Sequence, residues 1–113
     1  MSRYAVLLPG DENAWVYARH EEFQKAMAAR GHRMAGGAEL AHSREAKVVR
    51  SQDDPGEDEF TITDGPYAET TEQLTGFYLV DTDDLDDLLD VIGTTLGTKE
   101  RAVEVRQCLG GQG

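Results

Sequence analysis

Apolar and polar positions alternate along this chain with two different periods, and each period marks one kind of element. Tyr4 to Leu8, YAVLL, is a near-continuous apolar run closed by Pro9-Gly10-Asp11, which predicts a buried strand followed by a turn. Val16, His20, Phe23 and Met27 then recur at helical spacing. They share one face and predict a helix over about residues 14–30, with Asp11 or Asn13 as its cap and Gly31 as its end. Residues 33–40, RMAGGAEL, suit a short irregular strand broken at Gly36-Gly37. Residues 46–50 and 59–63 predict two strands around a polar loop, 51–58, whose tip is Pro55-Gly56. In the second of them Phe60 and Ile62 alternate with Thr61 and Thr63, which predicts one buried face. Phe77 to Val80 is a compact apolar strand. Thr82 or Asp83 then caps a second helix carried by Leu85, Leu88, Leu89, Ile92 and Leu96, interrupted at Gly93 and ended at Gly97. From Ala102 to Arg106 the alternation of Val103 and Val105 with Glu104 and Arg106 predicts a half-buried strand.

The order is β-α-β-β-(β)-β-α-β, in a single domain with no internal repeat and no linker. Two helices that each lead back into a sheet suit an α+β ferredoxin-like sandwich, an antiparallel sheet with both helices on one face. Several strands are apolar on both sides, so the other sheet face needs cover. A second copy of the chain is the simplest cover, and a homodimer is expected.

Charge narrows the partners. The net charge is −11, from 11 basic and 22 acidic residues. An acidic surface repels phosphate backbones and anionic membranes, so neither nucleic acid nor membrane is expected as a partner. No stretch approaches the ~20 apolar residues of a membrane span. Cys108 is the single cysteine, which excludes an internal disulfide and fits a reducing, cytoplasmic compartment. Neither CxxC nor HExxH spacing occurs, so no metal site is expected. Pro9-Gly10-Asp11-Glu12 is too short and acidic to cradle phosphate, and no cofactor is expected. The acidic run Asp81–Asp90 lacks the glycine and terminal glutamate of a calcium loop, and reads as a solvated helix start whose dipole welcomes negative charge.

One segment is unusually rich. Asp64-Gly65-Pro66-Tyr67, continued by Ala68-Glu69-Thr70 and by Glu72-Gln73-Leu74-Thr75-Gly76-Phe77, resembles the signature of the DGPF-domain branch of the YCII-related family. Val105-Arg106 resembles the usual ending of that branch, and Trp15 and Ala35-Gly36 sit where the family places them. The resemblance covers about residues 3–107. Tyr67 stands where phenylalanine is usual, Thr71 where a lysine is common, and Gln107 where a proline follows Val-Arg. The resemblance implies a dimeric α+β barrel built from ferredoxin-like halves. It also implies a cleft suspected of catalysis, because some members carry a histidine on the first helix near an aspartate. Dehydrochlorinase-like and muconolactone-isomerase-like enzymes belong to the wider superfamily. Some members of the branch accompany extracytoplasmic-function sigma factors, so a regulatory role is the alternative.

His20 is the first candidate for chemistry. It lies on the helix face that meets the sheet, close to the position of the YCII-related histidine. A part-buried imidazole serves as a general base near neutral pH, or as a core histidine satisfied by one hydrogen bond. Asp64 before Gly-Pro builds an Asx-type turn, or orients His20 if the turn faces it. Tyr67 either packs or lines a pocket with its hydroxyl at the edge. Glu69 and Glu72 either join acid–base work or solvate the loop. Arg106 holds a substrate carboxylate or pairs with Glu104 or Asp81. His32 and His42 read as surface residues. The expected function is therefore cofactor-free proton transfer, an isomerisation or elimination, on a small organic molecule in a dimer-associated cleft. His20 and Asp64 would be catalytic and Tyr67, Glu69 and Arg106 would bind substrate. The alternative is a non-catalytic small-ligand-binding or transcription-associated module.

Overall fold

Strand β1 (Ser2–Gly10), helix α1 (Tyr17–Ala29) and strand β2 (Arg33–Glu39) open the computed structural model of this protein. A short 3-10 turn (Ser43–Glu45), strands β3 (Lys47–Ser51), β4 (Phe60–Asp64) and β5 (Gln73–Thr82), helix α2 (Leu85–Thr95) and strand β6 (Glu104–Gln107) follow. The structure describes residues 1–10, 17–51, 59–67, 73–96 and 102–110. The sequence expectations at Asp11, Asn13, Trp15 and Val16, in the 52–58 loop, at Glu69 and Glu72, and at Gly97 lie outside them.

Four strands make one antiparallel sheet in the order β2-β5-β1-β6, the ferredoxin-like arrangement that the element order predicts. Strands β3 and β4 pair as a separate two-stranded ribbon inserted between β2 and β5. Both helices lie on one face of the four-stranded sheet. Val6 and Leu8 of β1 and Tyr78 and Val80 of β5 meet Phe23 and Met27 of α1 and Leu88, Val91, Ile92 and Leu96 of α2 in one buried core. The 3.6-residue period of both helices is thus the period of their contact with the sheet.

Several local expectations are corrected. Strand β1 does not end at Pro9. It passes through a bulge between Leu8 and Pro9 and continues to Gly10. Proline has no N–H to give the ladder, and β6 reaches only to Leu7, so Pro9 sits where β1 has β5 alone as neighbour. The Thr75 hydroxyl donates to the Leu8 carbonyl at 2.7 Å beside the bulge. Strand β2 is continuous through Gly36-Gly37, with its irregularity between Met34 and Gly36. Strand β5 extends well beyond the predicted 77–80 run, because its long partner β1 zips both ends. The cap of α2 is Asp84, whose carboxylate accepts from the Asp87 amide at 3.0 Å, and Gly93 lies within the helix without breaking it. Phe60 and Ile62 share a face as predicted, but that face is open: they are 60% and 61% exposed.

His32 is a further correction, a surface expectation that proves buried. Gly31, at φ +83, ends α1 in a Schellman turn in which the His32 amide donates to the Met27 carbonyl at 3.0 Å. The turn folds the imidazole inward, to 6% exposure. There Nδ1 lies 2.7 Å from the Thr82 hydroxyl and Nε2 lies 2.7 Å from Asp87 Oδ2. One side chain thereby ties the end of α1 to the end of β5 and the first turn of α2. His32→Ala leaves a buried hydroxyl and a half-buried carboxylate without this partner and is expected to cost about 2 kcal/mol, read from the urea midpoint at unchanged m.

Candidate functional site

The helix period that builds the core also sets the site. His20, Phe23 and Met27 lie on the inward face of α1, and the alternation of β5 turns Tyr78 and Val80 toward them. His20 Nδ1 and the Tyr78 hydroxyl are 2.7 Å apart, both residues being buried. Phe23, one turn along the helix, packs on the Tyr78 ring with centroids 5.1 Å apart and fixes its orientation. Burial pushes the His20 imidazole below the usual histidine range, because the charged form loses its water; the Glu39 carboxylate pulls weakly the other way. The resting imidazole is therefore neutral near pH 7.

A cleft of about 310 Å³ opens beside this pair, lined by Gln24, Met34, Gly36, Gly37 and Tyr78. Gln24 stands four residues after His20, so both project from neighbouring rows of α1. The glycines let β2 come close. A side chain at Gly37 would begin only 2.6 Å from the Phe77 carbonyl oxygen and 3.0 Å from the Tyr78 ring. Gln24 and Tyr78 are the members of this site that sequence reasoning missed. The signal for Tyr78 was present: it alternates with Phe77 and Leu79 and shares its side of β5 with Val80, the side that faces His20.

The other predicted site residues fall elsewhere. Asp64 ends β4 on the ribbon, exposed and ion-paired with Lys47. Gly65, at φ +94, turns the chain there, its amide donating to the Ala46 carbonyl at 2.8 Å. Tyr67 is 77% exposed, with Arg50 stacked 5.0 Å over its ring. It joins Pro66, His42, Ser43, Glu45 and Leu74 around a second cavity of about 390 Å³ at the base of the ribbon. Arg106 pairs beside Ala5 on β1, on the sheet face away from the helices, with its Nε 3.8 Å from Glu104. The structure thus brings His20 to Tyr78, Asp64 to Lys47, and Arg106 to Glu104. Asp81, the alternative partner for Arg106, is taken by Arg3 through two contacts of 2.8 and 3.1 Å, and that hydrogen-bonded guanidinium holds its carboxyl below the usual range. Among the described residues no group of three or more His, Cys, Asp or Glu side chains is arranged to hold a metal ion.

Comparison with known proteins places this geometry in a family context. A family profile described as the YCII-related domain matches residues 2–109. An uncharacterized protein of Rhizobium meliloti (strain 1021) is similar to this chain, 38% identical over 96 residues that cover 77% of this chain and 74% of that protein.

Proposed function

The chain belongs to the YCII-related family, and from that premise we propose that it is a cofactor-free acid–base enzyme acting on a small organic molecule in the cleft beside Tyr78. The observation that carries this reading is the buried 2.7 Å contact between a neutral His20 and the Tyr78 hydroxyl at that cleft. In the resting state the phenol donates to Nδ1. As a substrate C–H is broken, its proton passes to the Tyr78 oxygen while the phenolic proton passes to His20. Return of a proton to another carbon completes an isomerisation, and loss of a leaving group completes an elimination. His20 remains the general base of the sequence reading; Tyr78, in place of Asp64, is the group that orients it and relays the proton. Asp64 is then a turn and ion-pair residue of the ribbon, and Tyr67 and Arg106 contact ligand only outside the proton-transfer pair.

The same proposal includes a homodimer. Ala5, Leu7, Phe77 and Leu79 form an apolar, half-buried strip on the sheet face that carries no helix. A second copy is the cover that a chain with two such faces needs. The Asp64-Gly65-Pro66 turn supports placement in the DGPF branch, and the single cysteine supports a reducing, cytoplasmic setting.

The test is proton exchange in deuterated water. Small oxo acids and cyclic enones with acidic C–H groups are incubated with the protein and followed by NMR. At least one class is expected to lose its α-proton signal faster than in buffer alone. If none does while some still broaden on addition of protein, the rival reading stands: a small-ligand-binding or transcription-associated module. The deep burial of both His20 and Tyr78 is the feature that favours that rival.

A further inference from the structure

We infer that the cleft beside Tyr78 takes a neutral carbonyl compound, a ketone, ester or lactone and not a carboxylic acid, and that the Gln24 side-chain amide holds its carbonyl oxygen; this rests on the acid–base reading above. None of the groups that line the cleft, Gln24, Met34, Gly36, Gly37 and Tyr78, carries a charge. Sheet register sets Met34 opposite Val80 and Gly37 opposite Tyr78, on the face that carries the helices. The thioether and the bare glycine backbone form an apolar bed for a ring or short chain. Polar chemistry over that bed comes from the phenol of Tyr78, engaged with His20, and from the Gln24 amide, whose nitrogen donates. One such N–H satisfies a carbonyl oxygen. A carboxylate brings a full charge that has to give up water, and it needs a cation or several donors in return.

The described cations on the walls of the cleft are turned elsewhere. On α1, Arg19 reaches Glu22 at 3.4 Å. Lys25 is exposed and stands about 140° round the helix from His20, on its outer side. Just past the helix Arg30 pairs with Asp90 at 3.1 Å. On β2, Arg33 lies opposite Asp81 in register, with its Nε 3.9 Å from that carboxylate, on the sheet face away from the helices. Strand β5 contains neither lysine nor arginine. The charge that acts on His20 is negative, the Glu39 carboxylate at the end of β2. The chain as a whole, at −11, repels anions at long range. The chemistry asks for the same ligand. Breaking the C–H bond beside a carbonyl leaves the electron pair on the carbon–oxygen unit as an enolate. The proton goes to the Tyr78 oxygen, and the phenolic proton goes to His20 Nδ1. The Gln24 N–H then faces an oxygen whose charge has grown, so it stabilises the enolate more than the bound carbonyl. A substrate carboxylate would instead add a second negative charge beside it.

The experiment uses 4-oxocyclohexanecarboxylate and its methyl ester, which share a ring and a ketone and differ in charge. Binding to the full chain is read from ligand line broadening in an NMR titration, and exchange from loss of the protons beside the ketone in deuterated water. The ester is expected to bind wild type at least about tenfold more tightly than the acid. Gln24→Leu should slow exchange on the ester by about tenfold or more. Gln24→Arg puts a cation in the cleft and should raise the acid's affinity to that of the ester or above it. Gln24 is exposed, so both variants are expected to keep the wild-type circular dichroism spectrum; should Gln24→Leu not fold, Gln24→Glu removes the donor in its place. An acid that binds wild type as well as the ester overturns the ligand class, and so does binding of neither. Exchange unchanged by loss of the donor overturns the role of the amide. A preference for the ester that survives Gln24→Arg overturns the cleft as its origin. Ester binding without exchange leaves the ligand class standing and overturns the acid–base reading; exchange on the acid as fast as on the ester does the reverse.

Discussion

Replacing His20 by glutamine is expected to slow proton exchange on a responsive substrate by about 10²–10⁴-fold, the usual contribution of a positioned acid–base group. Glutamine keeps a polar side chain facing the Tyr78 hydroxyl but has no basic nitrogen, so substrate affinity should change little while turnover falls. Tyr78→Phe removes the relay oxygen and leaves the Phe23 stacking in place; it should fall by a similar factor, and the double variant should be no worse than either single one, because the two act as a unit. The pH profile carries the same signature. The active form is neutral imidazole, so the rate should rise with pH and level off, with a midpoint below the ordinary histidine value of about 6.5. The sign of the stability effect follows from the same shift. Burial lowers the folded-state value, so as pH falls from about 6.5 toward that lower value the unfolded chain binds more protons than the native one. Stability from this group is present above that window and is lost as pH falls through it. The difference in urea midpoint between wild type and His20→Gln should accordingly shrink on acidification from pH 7 to pH 5. A midpoint difference that is flat across this range would mean that the imidazole is not held neutral by the fold.

Much of the frame was legible because both helices and the central strands bury one face, and burial of one face leaves a period in the sequence. Phe23 and Met27 on α1, and Leu88 and Ile92 on α2, announce their contact with the sheet in their spacing. What was hidden depends on contacts distant in sequence. His32 looks like a turn residue beside Gly31, and only the meeting of α1 with α2 supplies Thr82 and Asp87 as partners 50 and 55 residues away. The Phe60–Ile62 alternation put the two side chains on one face but wrongly made that face a buried one, since periodicity reports which side chains lie together and not what lies opposite them. The same holds for the site. Helical spacing placed His20 on the inward face, but its partner was sought in the Asp64 turn, where a family pattern suggested a carboxylate. The ribbon holds that turn to Lys47 instead, and the group that meets His20 is a tyrosine inside an apolar strand run, where packing is the ordinary reading.

The adjacent glycines of β2 offer the sharpest separation of fold from site, because they differ in what a methyl group would meet. At Gly36 a Cβ would lie 3.7 Å from Leu79 Cδ1, an ordinary contact. At Gly37 it would lie 2.6 Å from the Phe77 carbonyl oxygen, a backbone atom that cannot step aside, and 3.0 Å from the Tyr78 ring, at a φ of +155 that side chains rarely adopt. Gly36→Ala is therefore expected to change stability by less than about 1 kcal/mol. Gly37→Ala has two ways to relieve the clash, lifting β2 from β5 or displacing Tyr78, and both act on the strands that wall the cleft. It is expected to cost about 3 kcal/mol, a fall in melting temperature of roughly 10–20 °C. Where the variant stays folded at low temperature, its exchange rate should fall even with saturating substrate, because the Tyr78 oxygen no longer meets His20 at hydrogen-bonding distance. Equal tolerance of alanine at the two positions would show that β2 does not approach β5 closely at Gly37, and the narrow wall of the cleft would then have no physical basis.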